Sequence, residues 1–209
     1  LQTLQQAVTR LGLRQIGQMA MTISVGQSVF KKDSTTQEII EYLWKHSLAT
    51  ASWAKEIARI CRSNTEVAFL CGLLHQIGKP VAVNTLLSLL EGEDESLKSQ
   101  QEFLSIIEKY NKVIGVALAT QWDFPEAVVE VINYIDEYFS APAARQEAMI
   151  VNAARLLSAK TLDGCNEGQL LTAMLGEEVF EELNFYQDDL EALAEKVESI
   201  NALLSSTNI

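Results

Sequence analysis

The chain has 209 residues, 48 % apolar and 21 % charged, with three prolines, ten glycines and a formal net charge of −12. That length holds one sizeable helical domain, or one with a helical appendage, and the apolar share supplies a core. So few turn residues exclude a turn-rich all-β fold, and the acidic balance argues against nucleic acid and anionic membranes, which need Lys and Arg to meet phosphates.

The N-terminal LQTLQQAVTRLGL lacks a basic region followed by an apolar run, so it is not a signal peptide. Leu1, Leu4, Val8 and Leu11 predict a helix over residues 1–12, stopped at Gly12. It reads as a helix entered midway, so the chain is expected to be a piece of something longer. An apolar helix follows from about Leu13 to Gly26, then a polar loop from Lys31 to Ser34. Thr35 and Glu38 form a T-x-x-E capping box opening a long helix with the stripe Ile39, Leu43, His46, Thr50, Trp53 and Ile57. Ile40, Trp44, Leu48 and Ala51 widen it, so this helix is buried on more than one side.

Ser63 and Glu66 make a second box, opening a central apolar helix that Gly78 and Pro80 break. Val81 to Leu90 is another apolar run, and Gly92 to Glu95 an acidic turn. Residues 97–110 read as an amphipathic helix with Phe103, Leu104, Ile107 and Tyr110 inward, and Val113 to Trp122 as a separate short, central one. Asp123-Phe-Pro-Glu starts a helix reaching about Phe139. Pro142 marks a corner, and Gln146 to Ala159 is helical up to Asp163-Gly164.

Short helices are expected at about Gly168–Leu175 and Glu177–Leu183. The last helix runs from Gln187 to Leu204, with Leu190, Leu193, Val197, Ile200 and Leu204 on one face. That seam is too short for a coiled coil, and left bare it would suit partner binding. Period-two alternation and internal repeats are lacking, so the class is all-α, with successive helices packed as neighbours. No apolar run approaches the ~18 residues of a membrane span. Cys61, Cys71 and Cys165 have neither disulfide nor zinc-ribbon spacing and read as reduced thiols, consistent with a cytoplasmic setting.

His46 and His75 are the two histidines of the chain, 29 positions apart on neighbouring buried helices. Antiparallel packing would bring them together. A hydrolytic metal site needs carboxylates as well, able to hold hard or borderline ions. Gln76 follows His75, and a neutral amide is a poor ligand. Glu102, Glu108, Asp123 and Asp136 are carboxylates that nothing in the spacing ties to the histidines. No G-x-S-x-G, Walker or G-x-G-x-x-G motif occurs. Lys79 reads as a cation near a helix end, and Trp44, Trp53 and Trp122 as core.

Three segments then carry a resemblance. W-K-H-S-x₃-A-x₂-A-x-x-I-A spans Trp44 to Ala58, E-x-A-F-L-x-G-L-L-H-x-I-G-K spans Glu66 to Lys79, and G-x₂-L-A-x₂-W-x-F-P-E-A-V spans Gly115 to Val128. Their order and spacing are similar to the HDOD domain, a catalytically degenerate relative of the HD and HD-GYP phosphohydrolases found in bacterial signalling proteins. The resemblance covers roughly residues 1–160, with 161–209 a C-terminal extension or connector, and implies an HD-like orthogonal helical bundle.

It also implies where metal ligands would stand. His46 and His75 keep the first two histidine positions, and Gln76 replaces the adjoining aspartate. A later histidine pair appears as Tyr134-Ile135, and a late aspartate as Ala154 or Arg155. The family's opening D-P-x-L and N-S helices are missing before A-V-T-R-L-G. The preferred expectation is a non-enzymatic signal-transduction domain with no cofactor, no catalytic residue and a protein partner or neighbouring domain. The alternative is a phosphohydrolase or phosphodiesterase with Fe, Mn or Zn between His46 and His75. A third is a ligand pocket at the vestigial site, where Lys79 and Arg155 would have to converge.

Overall fold

The computed structural model describes residues 13–30, 36–90 and 100–206. The expectations for residues 1–12, the loop at 31–34 and the acidic turn at 92–95 lie outside them. The helices are α1 (Leu13–Val29), α2 (Gln37–Ile60), α3 (Thr65–Leu74), α4 (Gly78–Leu90), α5 (Gln100–Gln121), α6 (Glu126–Tyr134), α7 (Arg145–Leu162), α8 (Glu167–Met174), α9 (Glu178–Glu182), α10 (Gln187–Ala194) and α11 (Val197–Ser206). A 3₁₀ turn at Tyr138–Ser140 joins α6 to α7. No strand occurs among the described residues, and no described helix is long and apolar enough to cross a membrane.

The fold is built on α2. Every residue from His46 to Ala54 is buried, so the helix is enclosed on all sides at its middle. Its main neighbours are α3 and α7. Gly72 lets α3 approach closely, because a Cβ there would lie 2.8 Å from the Ala51 Cα. On the other side the contact with α7 is laced by polar bonds. Trp53 Nε1 donates to Thr161 Oγ1 at 3.0 Å, and Thr50 Oγ1 lies 3.0 Å from Ser158 Oγ. Trp44 and Trp53 are core residues as expected, 2 % and 0 % exposed, and Trp44 meets Phe30 edge-on.

The helix starts differ from the two expected boxes. α2 has Thr36 as its N-cap, one residue after Thr35. α3 is capped by Asn64, not Ser63; its side-chain oxygen accepts from the Glu66 and Val67 N–H groups at 3.0 and 3.2 Å. Gly78 and Pro80 do more than stop α3. They form the first turn of α4, where the missing proline N–H is no loss. Pro125 is the N-cap of α6, which ends at Tyr134 rather than near Phe139.

Two further boundaries differ from expectation. Residues 97–110 and 113–122 are not separate helices, since α5 runs unbroken from Gln100 to Gln121. Ile107 is buried on it, whereas Leu104, Tyr110, Val113 and Trp122 are exposed rather than inward. The helix expected from Gln187 to Leu204 is divided at Glu195-Lys196 into α10 and α11. Its seam faces the body: Leu190, Leu193, Val197, Ile200 and Leu204 are all buried, and both helices lie against α2. The bare face that would have suited a partner does not exist on this segment.

Burial pushes the Cys61 thiol up to about 11 and the Cys71 thiol up to about 12, with the carboxylates of Asp189 and Glu147 adding to the respective shifts. Both are therefore protonated, unreactive thiols at neutral pH, Cys71 in the core and Cys61 half-buried against it.

Candidate functional site

The turn between α3 and α4 brings the two histidines together. His46 is fixed by the enclosed middle of α2. His75 closes α3 in a helical conformation, so its ring stays on the same face. The ring centroids are 5.6 Å apart, at an interplanar angle of 43°. Both rings are buried, at 8 % and 3 % exposure, and Gln76 beside them is 2 % exposed.

Gln76 decides what the imidazoles can do. Its Nε2 lies 2.9 Å from Leu43 O, 3.1 Å from Ser47 Oγ and 3.2 Å from His46 Nδ1. A carbonyl oxygen only accepts, so Leu43 fixes the amide with its NH₂ group inward. The His46 Nδ1 facing that NH₂ group must then offer its lone pair, and the neutral ring carries its hydrogen on Nε2. His75 has the opposite tautomer. Its Nδ1 is 2.7 Å from Gly72 O and donates to it, leaving the lone pair on Nε2. That Nε2 has no hydrogen-bond partner among the described residues.

Electrostatics keep both rings neutral. Burial, then Lys79 and Arg155, lower the His46 pKa from 6.5 to about 4. Burial and His46 push His75 well below its ordinary value, with smaller pushes from Lys79 and Arg155, while the Gly72 hydrogen bond opposes them. Lys79 and Arg155 thus converge on the histidine pair from α4 and α7. Lys79 lies in the first turn of α4, not at a helix C-terminus. Both cations line a cavity of about 230 Å³ together with His75, Gln76, Glu108, Asn111 and Asp136. Lys79 Nζ pairs with Glu108 at 2.6 Å and Arg155 with Asp136 at 2.5 Å.

A metal fits this donor set poorly. The lone pair of His46 is engaged by the Gln76 amide, and its other nitrogen carries hydrogen. Among the described residues no group of three His, Cys, Asp or Glu side chains is placed to hold an ion. Glu108 and Asp136 do reach the cavity, which their spacing did not reveal, but they face lysine and arginine. Asp123 sits in the exposed α5–α6 turn with φ 55°. At the positions matching other ligands, Ile135 is buried and Ala154 fully so. Arg155, not Ala154, lines the cavity.

The HDOD domain family model matches residues 1–138. The chain belongs to the HDOD family. An uncharacterized protein of Treponema pallidum (strain Nichols) is 25 % identical over 166 residues, covering 76 % of this chain and 32 % of that protein. The HDOD chain thus spans about a third of that relative's length. A Shewanella amazonensis SB2B structure provisionally named a metal-dependent phosphohydrolase superposes with TM-score 0.68 at 22 % identity, over 98 % of this chain and 73 % of that one. An HDOD domain protein of unknown function from Geobacter sulfurreducens gives TM-score 0.66 at 19 % identity, over 96 % of this chain and 73 % of that one. At such identities these structures show that the all-helical HDOD fold is shared.

Proposed function

We propose that this HDOD domain is a non-enzymatic regulatory module of a bacterial signalling chain, working in the cytoplasm through a protein partner or a neighbouring domain. The observation that carries the reading is Gln76. At the position where HD phosphohydrolases bear an aspartate, its amide is locked by Leu43 O and occupies the lone pair of His46. The acidic balance of the chain, −12 in all, also favours protein contacts over nucleic acid. Signalling would then be a shift in helix packing biased by the partner. Residues 161–209 are read as an extension to the HDOD body, since α10 and α11 pack on α2.

A second reading has one observation in its favour. The His46 and His75 rings lie 5.6 Å apart, as close as a metal-dependent phosphohydrolase would need them. Thermal unfolding separates the two. A ligand that binds the folded state raises the midpoint. The regulatory reading expects no rise with Mn²⁺, Fe²⁺ or Zn²⁺ and no fall with chelator. A metal-dependent rise in the wild type, lost in a His46→Ala, His75→Ala double variant, would overturn the metal-free reading and make turnover of phosphodiester substrates the next test of the hydrolase reading.

A further inference from the structure

The cavity beside His75 has a charge arrangement that metal binding does not explain. Lys79, Lys112 and Arg155 all line it, in a chain of net charge −12. The side chains of Lys79 and Arg155 are 19 % and 34 % exposed, whereas their partners Glu108 and Asp136 are 61 % and 69 % exposed. Lys79 and Arg155 thus lie deeper than the carboxylates they pair with, while Lys109, Lys112 and Glu137, which also line the cavity, are exposed at its rim. Ion pairs held from the rim are weak, and a carboxylate that swings into water loses little. An anion entering the cavity would therefore find cations it can take over from the acids.

The inner wall supplies a different group. His75 is 3 % exposed, its Nδ1 is committed to Gly72 O, and its Nε2 lone pair has no partner among the described residues. A buried acceptor of this kind calls for a donor. One chemical group meets both demands, an oxyanion that is negatively charged yet still carries an O–H.

We propose that the cavity binds a hydrogen-phosphate group, whose anionic oxygens take Lys79 and Arg155 in place of Glu108 and Asp136 and whose O–H donates to His75 Nε2. Arginine's planar fork suits phosphate, and lysine adds a point charge. A volume of about 230 Å³ falls below that of sites for drug-sized ligands, so the phosphate is free or on a small carrier. The site does not depend on whether the domain hydrolyses anything.

Calorimetric titration at about pH 6, where a phosphate monoester with second pKa about 6 keeps its hydrogen on roughly half the molecules, tests the site. The probes are inorganic phosphate, glycerol 3-phosphate and sulfate, which has no O–H at this pH. Phosphate or its monoester is expected to bind at least tenfold more tightly than sulfate. Arg155→Gln should weaken binding at least tenfold. Asp136→Asn, which frees Arg155, should tighten it severalfold, and this exposed substitution decides the matter even if Arg155→Gln misfolds. Tighter binding of the monoester identifies a carried phosphate, and the reverse order a free one; both support the site. No binding of either at millimolar concentration, equal binding of sulfate, or indifference to both substitutions overturns it.

Discussion

Gln76 holds His46 as a hydrogen-bond acceptor, with the amide Nε2 3.2 Å from the imidazole Nδ1. The Leu43 carbonyl, 2.9 Å from the same nitrogen, prevents the amide from turning over. Replacing the amide by a carboxylate reverses the polarity at this point. Gln76→Asp would set a buried charge near the Leu43 oxygen and remove the donor to Ser47 and His46. The expected loss in chemical denaturation without metal is about 2–3 kcal/mol, the cost of an unsatisfied buried polar group. Gln76→Met, which removes the amide donor but adds no charge, should cost less. A carboxylate variant as stable as the wild type would show that the amide contacts contribute nothing.

Acid should destabilise the domain through its histidines. The folded pKa of His46 is about 4, below its unfolded 6.5, so the unfolded chain binds more protons between those values. The associated stability is fully present above pH 6.5 and is lost as pH falls toward 4. Over that window His46 accounts for roughly 3 kcal/mol, and His75, shifted in the same direction, adds to the loss. Denaturation at pH 7 and pH 4.5 on the wild type and a His46→Gln variant would measure it. The variant should lose less stability on acidification, and parallel losses would contradict the assignment.

Much of this architecture was legible because burial enforces a helical period. The stripe from Ile39 to Ile57 predicts an enclosed helix, and α2 is enclosed. The nearness of His46 and His75 was legible only as a possibility, since antiparallel packing of two helices would bring them together but nothing in the spacing fixes which way each ring faces. The convergence of Lys79 and Arg155 was not. It depends on how α4 and α7 cross, and no periodicity encodes the meeting of residues 76 positions apart. Helix boundaries failed where polarity was taken for punctuation. Asn111-Lys112 looked like a break, but no Gly or Pro interrupts residues 100–114, and exposed polar residues do not end a helix. The opposite error occurred at Glu195-Lys196, where helix-forming residues gave no sign of a break. There the turn is closed by the Lys196 N–H donating to Leu193 O, and both flanking segments keep their apolar faces buried.

Gly78 is a backbone contact point. A Cβ there would run into the Asn111 carbonyl oxygen and come within 2.8 Å of Gly115 N, so α4 and α5 would have to separate. Gly78→Ala should cost about 1–3 kcal/mol, as overpacking does, and should also weaken phosphate binding, because Lys79 and Asn111 border the same crossing. Gly17 in α1 makes the control. Nothing lies within 4 Å of a Cβ there, and Gly17→Ala is expected to stabilise by about 0.5–1 kcal/mol through helix propensity. Equal effects of the two substitutions on the denaturation midpoint would remove the close crossing from the account.

Glu130 performs the last structural task near the cavity. Buried on α6, its carboxylate oxygen Oε2 accepts from the Ala143 and Ala144 N–H groups at 2.9 and 2.8 Å. Ala144 is the N-cap of α7 and has no capping side chain of its own. A carboxylate from another helix thus satisfies N–H groups at the start of α7 and places its negative charge where the helix dipole favours it. This also sets the direction of the helix that carries Arg155 to the cavity. Glu130→Ala removes the acceptor of two charge-assisted hydrogen bonds and should cost roughly 2–4 kcal/mol, from about 1.5–3 for each such bond less partial rescue by water. Glu130→Gln keeps one neutral acceptor oxygen and should recover about half. Hydrogen exchange at Ala143 and Ala144 provides the local reading. Their protection should fall in Glu130→Ala by more than the global loss of stability explains, and unchanged protection would mean that α7 is held by its packing on α2 alone.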